Sequence, residues 1–148
     1  MSHAHVANFT HCVFSTKDRQ NLIFPEPQPK LCAYLIGTAR NLQITMIAVG
    51  GTPNHIRLLI ATPPTLPLAV AVQKLKANSS RWMGEQGLTF EWQKGYAAFS
   101  VSPSLIETVT KYIRNQEHHH RERTFEQEFL ILLRKSGVSY DADHVFAA

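Results

Sequence analysis

The sequence predicts an α+β fold built on an antiparallel sheet, and three observations carry that prediction. Four short segments are rich in β-branched and aromatic residues, and longer stretches of helical period lie between them. Two of the four flank one short glycine-bearing loop and read as a hairpin, the usual link between antiparallel neighbours. The resulting order, β-α-β-β-α-β-α-α, is the third observation.

In chain order, Phe9–Ser15 is the first strand, and the charged TKDRQ ends it. FPEPQPK is a connector whose last proline opens a helix over Lys30–Asn41, with Leu31, Tyr34, Leu35, Thr38 and Leu42 at helical spacing. Gln43–Val49 is the second strand, Gly50–Asn54 a turn, and His55–Ala61 the third strand. TPPTLP interrupts the chain again, and Leu66–Glu85 is a helix with Val70, Leu75 and Trp82 among its apolar positions. Ala97–Val101, the fourth strand, follows a loop bearing Trp92 and Tyr96. Ser102 caps and Pro103 opens a helix from Ser104 to about His118. Thr124–Ser136 is a final amphipathic helix, with Thr124 as cap and Gly137 as stop. This is the split βαβ pattern of a ferredoxin-like domain, with helices mainly on one face of the sheet and extra C-terminal helices. No repeat or linker divides residues 1–148, so one domain is expected.

Composition bounds the function classes. Of 148 residues, 44% are hydrophobic and 18% charged, a globular profile, and no apolar run is long enough for a membrane span. The N-terminus lacks the basic start and apolar stretch of a secretory signal, so a cytoplasmic protein is expected, without membrane partners. Cys12 and Cys32 form no metal or disulfide spacing and read as reduced core thiols. The net charge of +4 is compatible with a polyanionic partner. Lys74, Lys76 and Arg81 cluster in one segment, and Lys111, Arg114, Arg121 and Arg123 in another.

Two stretches suggest chemistry. In GGTPNHIRLLIAT, strand alternation turns His55 and Arg57 to one side and Ile56, Leu58 and Ile60 to the other. A second histidine at 57 would complete a pair of metal ligands, but arginine keeps its protons. In KYIRNQEHHHRER, Tyr112 and Gln116 are four apart and share a helix face, which His119 and His120 continue.

With these residues in view, the chain resembles the HUH-type, single-tyrosine transposases of single-stranded DNA, the IS200-like group. HCVFSTKDR, TPNHIRLLI, LKANSSRWM, FEWQKGYAAFSVS and KYIRNQEHHHRERTFEQEF carry the likeness along nearly the whole chain. The resemblance implies a nucleophile at Tyr112, metal ligands at His55 and Gln116, and a missing second HUH histidine at Arg57. It implies a Mg or Mn ion, weakly bound or absent here, that polarises a DNA phosphate while the phenol attacks it and leaves a 5′-phosphotyrosine. It also implies single-stranded DNA with hairpins as partner and a homodimer with a shared active site, Tyr112 acting in cis or in trans. Lys74, Lys76 and Arg81 are candidates for phosphate contacts, and Trp92 and Tyr96 for stacking on bases.

Arg57 leaves three readings open: an impaired enzyme, a guanidinium standing in for the metal, or a site completed by His119 or His120. A non-catalytic, domesticated DNA-hairpin binder is the alternative function. A small-ligand enzyme on the same fold leaves the basic segments and the Tyr112–Gln116 spacing unexplained. His3 and His5 also spell the motif, but in a terminal tail ahead of the first strand.

Overall fold

The computed structural model describes residues 5–115, 124–141 and 145–146. Strands β1 (Phe9–Ser15), β2 (Thr45–Thr52), β3 (His55–Ala61) and β4 (Ala97–Val101) form one sheet in the order β2-β3-β1-β4. Every neighbouring pair is antiparallel, as the split βαβ pattern requires. Helices α1 (Gln28–Asn41) and α2 (Leu68–Glu85) follow β1 and β3, and α3 (Ile106–Arg114) and α4 (Phe125–Lys135) follow β4.

The alternation of β3 sorts the core. Ile56, Leu58 and Ile60 join Cys12 and Phe14 of β1 in a cluster with Leu31 and Leu35 of α1 and Val72 and Leu75 of α2. The other face of the sheet lies under the C-terminal helices. There Val13, Ala97 and Phe99 pack with Phe125 and Leu133 of α4, while Ala48 and Leu59 pack with Ile113 of α3. The sheet is thus covered on both sides, and polar side chains from β3 and β1 lie between these two clusters. Both cysteines are free, and burial pushes the Cys12 thiol up to about 12, so it is inert packing. No helix of the described residues is long and apolar enough to cross a membrane.

Three expectations are corrected in detail. Gly50 and Gly51 are not turn residues, because β2 runs on to Thr52 and the turn is only Pro53 and Asn54. The physical reason at Gly50 is tertiary: a Cβ there would collide with the backbone carbonyl of Ile113, so glycine is what lets α3 lie directly on β2. Ser102 has extended backbone at the next helix start but makes no side-chain cap; its hydroxyl meets that of Ser104 at 3.0 Å. The segment then begins as a single tight turn, Pro103–Leu105, before α3 proper. Its expected continuation past 115 lies outside the described residues. Thr124 does cap α4, in a reciprocal box with Gln127 at 3.0 and 3.2 Å, and Gly137 ends the turn beyond it at φ +70°.

Candidate active site

His55 opens β3 and is fully buried. Its Nδ1 lies 2.7 Å from the Thr52 hydroxyl at the end of β2 and 2.8 Å from Asn54 Oδ1 in the hairpin turn. An amide oxygen cannot donate, so with this amide orientation Nδ1 carries a proton and directs it to Asn54. A further constraint is a ring stack: Phe125 of α4 lies against the imidazole at 4.4 Å, the planes 28° apart.

Arg57 shares that sheet face and is also fully buried. Its register partners are Val13 on β1 and Gly50 on β2, so small or apolar neighbours flank the guanidinium. Nη2 donates to Glu128 Oε2 at 3.2 Å, and Cζ sits 5.3 Å from the centre of the Tyr112 ring. Burial pulls the guanidinium below its ordinary range, while the charges of Tyr112 and Glu128 pull it back. It remains the cation of the site.

Tyr112 is half-buried on α3, held over the sheet because its neighbour Ile113 is buried against Ala48 and Leu59. Its hydroxyl donates to Glu128 Oε2 at 3.0 Å, the same oxygen that accepts from Arg57. Phenol, carboxylate and guanidinium therefore meet at one atom, within one chain. The tyrosine and the arginine belong to the expected set; the carboxylate between them does not.

His11 is a second residue missing from the expected set. It is buried on β1 with its ring 6.5 Å from that of Tyr112 and 6.2 Å from that of Phe99. Among the described residues its Nε2 has no hydrogen-bond partner. Burial and then the Arg57 charge pull its pKa down to about 3, so the ring is neutral at working pH. A cleft of about 440 Å³ between α3 and α4 borders this cluster, lined by His11, Tyr112, Glu128 and Lys135 among others.

Does this cluster fit a divalent ion? His55 supplies one imidazole, Arg57 cannot coordinate, and the Glu128 carboxylate already accepts from Arg57 and Tyr112. Among the described residues no group of three His, Cys, Asp or Glu side chains is arranged to hold a metal. The described residues do not fit one. Gln116, His119 and His120 lie outside the described residues, as does His3, while His5 is exposed in the N-terminal tail.

The expected DNA contacts separate into two kinds. Lys76 directs its ammonium to the carbonyls of Gln93 and Gly95, at 2.8 and 2.6 Å, which ties the loop after α2 to the helix. Trp92 is buried, its indole N–H donating to Ser79 Oγ at 3.0 Å and its ring edge-on to Phe14. Both side chains make these contacts within the protein. Lys74 and Arg81 are exposed on α2, Arg81 beside Glu85, and Tyr96 presents 42% of its surface.

Residues 6–116, well over half of the chain, match the family model described as transposase IS200 like. The chain belongs to the IS200-like transposase family. Two solved structures share its fold. A transposase candidate from Deinococcus radiodurans R1 superposes with a TM-score of 0.62 at 22% identity, over 78% of this chain and 96% of that one. A REP-associated tyrosine transposase bound to a REP hairpin gives a TM-score of 0.62 at 14% identity, over 81% of this chain and 74% of the other. Curated proteins gave no significant match. The family model ends at residue 116, before α4, so the helix that brings Phe125 and Glu128 onto the motif strand lies beyond the matched region.

Proposed function

We propose that this IS200-like transposase binds hairpin-bearing single-stranded DNA and breaks and rejoins it through Tyr112, with Arg57 and Glu128 serving the phenol in place of a bound ion. The observation that carries the reading is the shared oxygen: Glu128 Oε2 lies 3.0 Å from the Tyr112 hydroxyl and 3.2 Å from Arg57 Nη2. A nucleophile, a base in hydrogen-bond reach and a third group orienting that base make the general pattern of an activated nucleophile.

A phenol titrates near about 10 and attacks poorly at neutral pH. Glu128 takes the proton as the Tyr112 oxygen bonds to phosphorus, and the bond from phosphorus to the 3′ oxygen breaks. That oxygen leaves as a hydroxyl, its proton supplied through solvent. The Arg57 cation favours the phenolate that develops beside it. Attack of a second strand's 3′-hydroxyl on the 5′-phosphotyrosine reverses these steps and reseals DNA without an outside energy source. The hairpin-bound relative supports a hairpin as the partner, and the exposed Lys74, Arg81 and Tyr96 suit phosphate contact and stacking.

A specific observation favours a second reading, a non-catalytic hairpin binder. His55 and Arg57 are fully buried beneath Phe125 and Glu128, so a strand reaches the cleft at Tyr112 but not the imidazole unless α4 lifts.

The deciding assay incubates the protein with labelled single-stranded hairpin DNA and looks for a denaturant-stable adduct. The first reading expects an adduct that survives chelator and disappears in Tyr112→Phe. An adduct that requires Mg²⁺ or Mn²⁺ would show that residues past 115 complete a metal site. Hairpin affinity with no adduct, and an adduct gained in Arg57→His with Mn²⁺, would establish the binder.

A further inference from the structure

A second cavity, of about 210 Å³, is lined in part by Phe125, the ring that stacks on His55, and lies between β1, the segment before β4, and α4. Its walls include the rings of Tyr96, Phe125, Phe129 and Phe146, with the cations Arg19 and Lys94 among the other lining residues. Gln93 supplies its one buried amide, 9% exposed. Backbone alternation aims this residue at the cavity: Trp92 points to Ser79 on α2, so Gln93 turns to the opposite face. Gln93 Oε1 accepts the backbone N–H of Asp18 at 2.8 Å, which fixes the amide orientation because that N–H needs an acceptor. Among the described residues its Nε2 has no hydrogen-bond partner. A buried donor without an acceptor is uncommon in folded proteins, and this one lines an aromatic slot.

Arg19 fastens the slot's outer wall. It pairs with Glu126 at 2.7 Å, donates to the Phe146 carbonyl at 2.9 Å and lies 4.9 Å over the Phe146 ring. The slot is therefore held open by contacts that do not use Gln93.

We infer that this slot takes one unpaired nucleobase of the bound single strand, the base stacking on the aromatic walls while one of its carbonyl or ring-nitrogen acceptors receives the Gln93 Nε2–H. The inference rests on the DNA-binding reading above and adds a base-reading position to it. The chemistry selects a base over an apolar side chain of a protein partner. Both would fill the aromatic space, but only the base brings an acceptor for the amide, and every DNA base carries one. Phe125 is common to the slot and the His55 stack, so a base seated there lies one ring away from the motif strand.

The test measures fluorescence anisotropy of a DNA hairpin whose single-stranded flank carries one abasic residue, moved stepwise away from the stem. One position is expected to weaken binding to the full-length protein by about tenfold, the scale of one stacked base. Gln93→Glu keeps the acceptor that Asp18 needs but removes the donor, and Phe129→Leu removes one ring of the wall. Each should shrink that gap to about twofold while stem binding persists. Equal affinity at every abasic position, or an undiminished gap in both variants, overturns the slot and leaves the DNA-binding reading standing. No affinity for any hairpin overturns both.

Discussion

Replacing Glu128 by glutamine tests the centre of the site through stability, independently of any substrate. The change keeps the shape of the side chain and removes its charge. Arg57 is fully buried and Glu128 is 6% exposed, so solvent cannot take over the guanidinium. Breaking one partner of such a pair costs about 3–5 kcal/mol, mostly as the penalty of the remaining buried charge. For a chain of this size each kcal/mol moves the melting temperature by roughly 2–4 °C, so a loss of about 6–20 °C is expected. Replacing both partners, Arg57→Met with Glu128→Leu, should recover most of it, because an apolar pair of similar volume is often neutral or better in such a place. The assay is thermal and urea unfolding of wild type, the singles Arg57→Met and Glu128→Leu, the double variant, and Glu128→Gln, read as a double-mutant cycle. Single losses below about 1 kcal/mol that simply add in the double would refute the pairing, since contacting charges should show strong coupling.

Glu128→Gln should also slow formation of the Tyr112 adduct by about 10²–10⁴, the usual contribution of a positioned base; an unchanged rate would remove Glu128 from the chemistry. His11 gives a pH dependence: burial holds its folded pKa at about 3 against an ordinary 6.5, so the unfolded chain binds a proton that the native state refuses. Stability is full above pH 6.5 and falls as pH drops toward 3, by about 1.4 kcal/mol per unit. His11→Phe should flatten that part of the curve in urea melts across pH, and an identical acid slope in both proteins would contradict the buried neutral ring. Gly50→Ala should push α3 off β2 at Ile113, costing about 1–3 kcal/mol as overpacking and depressing adduct yield more than stability explains. Normal adduct yield in that variant would mean that the seat of α3 does not set the position of Tyr112.

Features that depend on local period were legible in the chain. The alternation in HIRLLIA assigned His55 and Arg57 to one face, and T-x-x-Q announced the cap of α4, because both signals are complete within a few residues. Gly50 was misleading for a physical reason: glycine pairs mark turns, but this glycine answers to a helix that crosses it from residue 113. His11 shares a strand face with Val13, yet its meaning depends on the register that sets Val13 against Arg57. Glu128 had one signal in the sequence, a carboxylate inside the stripe formed by Phe125, Phe129 and Leu132, which is a poor place for a charge unless a cation waits opposite. Arg57 and Glu128 are 71 positions apart, and each looks like an error when read alone. From the motif, arginine is a lost ligand; from the helix, glutamate is a charge in an apolar face. The fold makes them one feature. An arginine at position 57 without a carboxylate above it would be a bare cation in the core, and the segment beyond the family match brings that carboxylate and joins it to the tyrosine hydroxyl.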